Sequence, residues 1–256
     1  MSSLLGLLGD RAEQVTHIAV AFDNPIESFR NSLFEGYKTG EGMEQVLVDQ
    51  MDLVEEAVRA LGIVVWSMDE FEADDALATA ALQYSQDVDQ IRIMSPDKDF
   101  GQCVVDTRVV QVDRMRERVI DADGVRERNG VAPANIPDWL ALVGDTADGI
   151  PGIPGFGAKT AATLLNRFGS VEKIPVDPDL WDVKVRGAPR LAATLASLRE
   201  EVGLYKKLAT LRDDVPIEQS FDDLCWRGAP RTMFDEFAVR LGGFNMRPSR
   251  FQEPHL

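Results

Sequence analysis

The sequence contains few of the residues that soft metal sites and redox sites need: two cysteines and two histidines in 256 residues. Cys103 and Cys225 lie far apart and match no zinc or redox spacing, so we expect both to be reduced core residues. Neither His17 nor His255 neighbours any of the acidic clusters described below. These shortages argue against zinc and copper, whose sites rely on thiolate and imidazole ligands.

Long apolar runs are also lacking. No stretch approaches the ~18 uninterrupted apolar residues of a membrane span, and the N-terminus has neither the basic start nor the apolar segment of a secretory signal. We therefore expect a soluble, cytoplasmic protein with no membrane partner.

Cationic residues are scarce too. The sequence has 27 Lys and Arg against 43 Asp and Glu, which gives a net charge of −16. That balance argues against broad nucleic-acid binding unless metal ions neutralise the acids and the basic residues cluster.

Eight carboxylates occur in four short clusters, each where an apolar run ends or a helix begins. They are Asp23; Glu72, Asp74 and Asp75; Asp97 and Asp99; and Asp145 and Asp148. In an α/β fold such positions meet at the carboxyl ends of parallel strands. Acids in a first helical turn also complement the helix dipole, and Asp-rich turns are common, so each cluster alone has a simpler interpretation. Four clusters at equivalent positions predict a cation site, because crowded carboxylates repel one another.

The ligand type indicates which cation. An all-oxygen site suits Mg²⁺ or Mn²⁺. Six or more carboxylates exceed what one Mg²⁺ needs, since Mg²⁺ keeps several waters. They fit two ions, one activating water and one stabilising a leaving oxygen, which is an arrangement suited to phosphodiester hydrolysis.

The first 112 residues alternate between strand and helix patterns. We predict strands at 17–22, 63–66 and 91–94, and helices at 2–14, 43–61 and 72–84, with Gly62 ending the second helix. Repeated β-α-β units predict an α/β fold with a largely parallel sheet and flanking helices. Shorter strands are predicted at 104–105, 109–112 and 118–120. After residue 120 short helices take over, among them 137–143, 158–168, 191–202 and 232–241, so we divide the chain into domains 1–120 and 121–256.

A glycine-rich segment, GIPGIPGFGAKTA, occupies residues 149–161. Gly152, Gly155 and Gly157 precede a predicted helix, whose N-terminal amides together with Lys159 suit a phosphate group. The segment is not a P-loop, because Ala158 separates Gly157 from Lys159 and two prolines exclude a preceding central strand. We interpret it as a helix-hairpin-helix that contacts the DNA backbone without reading sequence. A plain helix–helix turn is the alternative.

Two basic residues, Arg30 and Lys38, stand close to the first acidic cluster, with Phe34 and Tyr37 between them. This composition suits phosphate contact or base stacking. A solvated helix face accounts for it equally well.

Four motifs in order, AFD, FEADDALATAA, SPDKDF and ALVGDTADGIPGIPGFGAKTAATLL, resemble the bacterial 5′–3′ exonucleases. These are flap endonuclease relatives that also form the N-terminal domain of DNA polymerase I, and the resemblance runs from about residue 15 to the C-terminus. It implies a PIN-like nuclease domain followed by a helix-hairpin-helix, SAM-fold-like region. It also implies Mg²⁺- or Mn²⁺-dependent removal of 5′ ends and 5′ flaps from DNA in replication, including RNA primers of Okazaki fragments, and in repair.

The resemblance also implies roles for individual residues. All eight acids match the family's metal ligands, and Arg30 and Lys38 match basic residues that position the scissile phosphate. The duplex-binding hairpin, which can also hold K⁺ in this family, matches the stretch containing Gly152, Gly155, Gly157, Lys159 and Thr160. The implied partners are flapped, nicked or branched DNA and a DNA polymerase, and the implied state is a monomer.

Two departures from the family pattern stand out. The family opens with a central strand ending in Asp-Gly, whose Asp is a metal ligand, and this sequence contains no such segment. The stretch 39–44 is acidic where the family often has basic residues that thread a flap. The alternative hypotheses are a catalytically impaired protein that binds DNA structures without the first ligand, and a PIN-type ribonuclease. Cleavage assays on DNA and RNA flaps, with and without Mg²⁺, distinguish the three.

Overall fold

The computed structural model describes residues 2–243 and 247–252, so His255 lies outside the described residues. The chain forms two compact units that do not follow chain order. The first unit comprises the chain up to Glu27, Gly40–Ala76 and the chain from Pro216 onward. The second comprises Ser28–Thr39 and Leu77–Val215, so the proposed boundary near residue 120 falls inside it.

Strands and helices alternate through the first half of the chain, and helices dominate the second half. The strands are β1 (Ala19–Asp23), β2 (Val64–Met68), β3 (Ile91–Ile93), β4 (Val109–Asp113) and β5 (Arg118–Ile120). The helices are α1 (Ser2–Gly9), α2 (Phe29–Leu33), α3 (Gln45–Val48), α4 (Met51–Arg59), α5 (Ala73–Tyr84), α6 (Ala122–Asn129), α7 (Ile136–Val143), α8 (Ala158–Phe168), α9 (Ala188–Ser197), α10 (Arg199–Ala209) and α11 (Arg231–Arg240). The predicted α/β class is confirmed.

The first unit is built around a parallel pair of strands. β1 pairs with β2 so that Asp23, the last residue of β1, lies opposite Met68 at the carboxyl end of the pair. The chain from Pro216 onward contributes to the core of this unit. Trp226 packs with Leu61 and Phe234, and its indole Nε1 donates to the Leu61 carbonyl at 2.9 Å. The sheet is therefore supported by residues distant in sequence.

The predicted helix at 43–61 is wrong in extent. It is two helices, α3 and α4, separated by a turn at Asp49 and Gln50. Its buried apolar residues, Val58, Ala60 and Leu61, all lie at its C-terminal end, whereas Leu47 is 53% exposed. Helical periodicity shows that apolar residues share one side of a helix, but it carries no information on whether that side is covered.

The second unit contains β3 and β4 paired in parallel, and β4 and β5 paired antiparallel. Its core is centred on α7, whose sequence IPDWLALV is apolar on nearly every side, as expected for a central buried helix. Ile136, Leu140 and Leu142 have no exposed surface. α8 and α10 both pack against α7.

Several finer predictions differ from the structure. The stretch 191–202 is not one helix: α9 and α10 meet at Leu198, whose non-helical backbone (φ −113°, ψ 29°) separates them. The stretch 104–105 forms only an isolated bridge, between Val105 and Val109. Cys103 and Cys225 are not joined in a disulfide, as predicted, but both are partly exposed and not core residues. Within the described ranges, no helix is both long and apolar enough to cross a bilayer.

Lys206 on α10 links two acids of the second unit. Its Nζ lies 2.9 Å from Asp138 Oδ1 on α7 and 2.9 Å from Glu172 Oε1. Asp138 is buried, and its Oδ1 also accepts the Val171 amide at 2.8 Å. Burial lowers the pKa of Lys206, but its bonds to both acids outweigh this and raise it. Burial likewise raises the pKa of Glu172, and its side-chain bonds, first among them that from Lys206, lower it overall.

We expect Lys206→Met to lower the free energy of unfolding by about 2 kcal/mol at pH 7, because it leaves the buried Asp138 carboxylate without its ammonium partner. The loss should be largest between about pH 5 and pH 10. Below that window Glu172 takes up its proton, and above it Lys206 loses its own. Denaturant unfolding across pH measures this. The exposed neighbour Lys207 provides the control, and an equal loss in Lys207→Met would contradict the role of Asp138.

Candidate metal centre

In the first unit, Asp23 at the end of β1 contacts the start of α5. Asp23 Oδ1 accepts the Ala73 amide at 2.5 Å, and Asp75 Oδ2 accepts the Glu72 amide at 3.0 Å. Glu72 and Asp75 are buried, and Asp74 lies in the same first turn. The first-turn amides that a helix leaves unpaired are thus bonded to carboxylates. These bonds fix the orientation of the Asp23 and Asp75 side chains, as metal ligands require.

In the second unit, three acids from two separate loops meet. Asp99, Asp145 and Asp148 each place a carboxylate oxygen within 4.8 Å of the others. Asp99 lies in a short 3₁₀ helix after β3, and Asp97 caps that helix by accepting the Asp99 amide at 3.0 Å. The Asp145 and Asp148 side chains come from the turn after α7. Four of the eight predicted acids thus belong to each unit, and three of them, Asp99, Asp145 and Asp148, lie close enough to share a cation.

Asp99 has the strongest electrostatic perturbation in this cluster. Burial, followed by the charges of Asp97, Asp148 and Asp145, raises the pKa of Asp99 to about 9, against a small opposing effect of Lys98. Its Oδ1 atom is buried without a hydrogen-bond partner. A buried carboxylate oxygen without a donor, beside two further carboxylates, is the environment that a hard divalent cation satisfies. The donor set therefore fits Mg²⁺ or Mn²⁺.

Two lysines border the cluster. Lys98 Nζ lies 2.7 Å from Asp145 Oδ2, and Lys38 Nζ lies 3.1 Å from Asp148 Oδ1. The Lys38 amide also donates to the Asp148 carbonyl at 3.0 Å, which fixes the backbone beside the ion pair. Lys38 was predicted as a site residue from sequence. Lys98 was not, although it stands between Asp97 and Asp99 in SPDKD.

Arg30 lies in a buried environment. Its side chain is fully buried, with Nε donating to the Leu208 carbonyl at 2.9 Å and Nη2 donating to the Thr210 carbonyl at 3.1 Å. These carbonyls lie at the C-terminal end of α10, where a cation is favoured. Arg30 therefore supports the second unit. Its predicted contact with a scissile phosphate stays a prediction.

The hairpin between α7 and α8 separates an apolar inner side from an exposed outer one. Ile153 and Phe156 are buried, whereas Gly157 and Lys159 are exposed. A side chain at Gly152 would approach the Gly144 nitrogen to 2.5 Å, so this position requires glycine. Gly157 has open space around it and precedes α8, which begins at Ala158 as predicted.

One further residue beside the cluster was missed from sequence. Gln111 is the middle residue of β4 and has no exposed surface, although its strand neighbours are apolar. Its amide contacts the loop that carries Asp97 and Asp99. A polar residue within the buried strand VVQVD was the available signal.

Comparison with known families matches both halves of the chain. Residues 1–130 match the 5′-3′ exonuclease N-terminal resolvase-like domain, and residues 131–232 match the 5′-3′ exonuclease C-terminal SAM fold. A resolvase-like α/β domain followed by a SAM fold defines a two-domain nuclease architecture. The chain belongs to the 5′-3′ exonuclease family.

Individual relatives agree with this membership. The chain is 35% identical over 215 residues to a 5′-3′ exonuclease of Aquifex aeolicus, covering 84% of this chain and 71% of that protein. It is 36% identical over 236 residues to DNA polymerase I of Bacillus caldotenax, covering 90% of this chain and 26% of that protein. The chain therefore spans about a quarter of the length of that polymerase.

Solved structures show the same fold. T5 5′-exonuclease with bound divalent metal ions (zinc) superposes with a TM-score of 0.67 at 19% identity, covering 94% of this chain and 88% of that one. A bacteriophage T5 flap endonuclease in complex with DNA and metal ions gives a TM-score of 0.63 at 20% identity, covering 82% and 80%. At these identities the likeness concerns the fold.

Proposed function

We propose that this protein is a Mg²⁺-dependent 5′–3′ exonuclease and 5′-flap endonuclease that hydrolyses DNA phosphodiesters with two metal ions. The observation that carries the proposal is the cluster of Asp99, Asp145 and Asp148, with oxygens within 4.8 Å of one another, in a chain of this family. Mn²⁺ is the alternative ion, because it accepts the same oxygen ligands.

We propose that the eight acids hold two ions. We assign one ion to Asp23, Glu72, Asp74 and Asp75, and the other to Asp97, Asp99, Asp145 and Asp148. When bound, the ions supply a nucleophile from water at neutral pH and stabilise charge on the leaving oxygen. Lys38 and Lys98 hold Asp148 and Asp145 in place, and they offer positive charge to a substrate phosphate when the ions take over the carboxylates.

The direct test is cleavage of a 5′-flap DNA by the chain, with Mg²⁺, with Mn²⁺ and with EDTA, beside the matching RNA flap. The proposal predicts cleavage of DNA near the junction only with a divalent ion. Binding without cleavage in Mg²⁺ would instead support the catalytically impaired DNA-binding protein. Preferential cleavage of RNA would support the PIN-type ribonuclease.

We further propose that the hairpin binds the DNA backbone. Its exposed surface combines Gly157, the first-turn amides of α8 at Lys159 and Thr160, and the Lys159 ammonium, while Gly152 and Gly155 let the chain turn tightly. The proposal includes a K⁺ ion at this hairpin, and replacing K⁺ by Na⁺ in a DNA-binding assay tests it.

Lys159→Glu is expected to raise KM for flap DNA about 5- to 10-fold near 0.1 M salt with little change in kcat, because one phosphate contact becomes a repulsion. The dependence of KM on salt should become shallower. Lys184→Glu makes the same charge change at another exposed position and should alter KM less than about twofold. Equal effects of the two variants would point to net charge, not to the hairpin.

The biological setting is part of the proposal. We propose action on RNA primers of Okazaki fragments and on repair intermediates, with a DNA polymerase as partner, and the similarity to DNA polymerase I supports a link to DNA synthesis. We also propose a monomer, in which residues 1–120 form the nuclease domain and residues 121–256 the helix-hairpin-helix domain. Measuring the mass of the protein in solution, with and without flap DNA, tests the monomer.

A further inference from the structure

The acidic loop, residues 95–99, leads from β3 into the start of the 3₁₀ helix and carries three charged residues of the site: Asp97, Lys98 and Asp99. Gln111 contacts its backbone at two points. Its Nε2 donates to the Ser95 carbonyl at 2.9 Å and also to the Asp97 carbonyl. One side-chain amide thus spans the start of the acidic loop.

Gln111 is itself held from several sides. In β4 it lies opposite Ile93 of β3 and Ile120 of β5, so its backbone is fixed between two strands. Its Oε1 accepts a hydrogen bond from Arg128 Nη1 at 2.9 Å. Arg128 also donates from Nη2 to the Lys98 carbonyl at 3.2 Å. The two side chains together therefore bond to three carbonyls of the loop.

We infer that Gln111 and Arg128 are positioning residues that set the backbone of 95–99 so that the Asp99 carboxylate shares one cation with Asp145 and Asp148. The inference rests on the proposed function. Side chains that orient metal ligands from a rigid element commonly change metal affinity by about 10- to 100-fold when removed. Here the rigid element is the central strand of a three-stranded sheet.

The chemistry of the contacts favours positioning over simple core packing. A buried amide in an apolar strand is costly unless its groups are bonded. Both donor bonds of Gln111 end on the loop that bears Asp97 and Asp99, and its acceptor bonds to Arg128, which reaches the same loop. A different role is open only to Arg128, whose partly exposed guanidinium is also suited to a DNA phosphate.

Mn²⁺ titration of the full chain by calorimetry, without DNA, tests the inference. The relevant binding event is identified as the one lost in Asp99→Asn. Gln111→Leu, which keeps the volume and removes the polar groups, should weaken that event at least about tenfold. Arg128→Met should weaken it by several-fold, and Arg128→Lys, which keeps a donor, should weaken it less. Arg128 lies near the surface, so its variants keep the test valid if Gln111→Leu fails to fold.

Thr79→Val is the matched control. Thr79 is buried in the same unit, where its Oγ1 accepts the Val215 amide at 3.1 Å, and it bonds to no residue of the loop. Its loss should lower the melting temperature and leave Mn²⁺ affinity unchanged. The inference would be overturned if Mn²⁺ affinity fell in proportion to the melting temperature in all variants, Thr79→Val included. An Arg128→Met variant with raised KM for DNA and unchanged Mn²⁺ affinity would also overturn it. A wild-type chain that binds Mn²⁺ but cleaves no flap would overturn the proposed function alone.

Discussion

Asp99→Asn is expected to lower Mg²⁺-dependent flap cleavage by about 10³-fold or more while binding to the same DNA stays within about twofold. Asparagine keeps the shape of the side chain but removes the anionic oxygen that the cluster offers to a cation. A metal ion contributes several kcal/mol to transition-state stabilisation, and each 1.36 kcal/mol is about a factor of ten in rate. Steady-state cleavage beside DNA binding in Ca²⁺ or EDTA measures both quantities.

We expect the stability of Asp99→Asn relative to the wild type to depend on whether a divalent metal is present. Burial first, and then three neighbouring acids, raise the pKa of Asp99 to about 9. A carboxyl whose pKa is raised on folding costs stability increasingly as pH rises from about 4 towards 9. In EDTA at pH 7 we therefore expect Asp99→Asn to be more stable than the wild type, by on the order of 2 kcal/mol. Excess Mn²⁺ should stabilise the wild type and have less effect on the variant.

Each arm of this experiment has a contrary outcome. Full cleavage by Asp99→Asn would remove Asp99 from the metal centre. A variant less stable than the wild type in EDTA would show that Asp99 is held by favourable contacts and not by repulsion relieved by a cation. Asp97→Asn is a useful comparison, because Asp97 caps the 3₁₀ helix through a bond from the Asp99 amide that an asparagine carbonyl can also accept.

The sequence contains enough information to anticipate the local elements that carry the site. β1 ends at Asp23 and α5 begins just after Glu72, because an apolar run followed by acids at a helix start has a direct structural meaning. The helix Ala158–Phe168 was predicted to its ends, since glycines define its start and Gly169 its end. The grouping of Asp99 with Asp145 and Asp148 followed from the expectation that such ends converge.

Features that depend on distant partners could not be anticipated. Trp226 and Phe234 pack with Leu61 in the core of the first unit, although they lie far from it in sequence. No local sequence pattern predicts this contact. Arg30 looked like a surface cation near acids, but it bonds to Leu208, 178 residues away. Similarly, the apolar periodicity of 43–61 does not tell which of its positions are covered, and Leu47 and Val54 are exposed. Local propensity identifies an element, whereas the rest of the chain decides what covers it.

Gly149→Ala should be the most destabilising glycine replacement in the hairpin region. Gly149 has φ +75°, and a Cβ there would lie 2.0 Å from the Gly36 carbonyl oxygen. Backbone atoms cannot move aside cheaply, so the clash adds to the cost of the left-handed conformation. We expect the free energy of unfolding to fall by about 3 kcal/mol or more. Lys38 lies two residues from Gly36 and forms an ion pair with Asp148. We therefore expect DNA cleavage by Gly149→Ala to fall as well.

Replacements of two other glycines separate the cost of the clash from the cost of the left-handed backbone conformation. Gly169 has φ +86° with no atom within 4 Å of an added Cβ, so Gly169→Ala should cost only about 1 kcal/mol for its backbone conformation. Gly203 lies within α10 with open space, so Gly203→Ala should stabilise by about 0.5–1 kcal/mol. Denaturant unfolding should therefore show a higher free energy of unfolding for Gly203→Ala, a slightly lower one for Gly169→Ala and a much lower one for Gly149→Ala. If Gly149→Ala were as mild as Gly169→Ala, the segment around Gly36 would be yielding at little cost, and the contact of Lys38 with Asp148 would not be fixed by the hairpin.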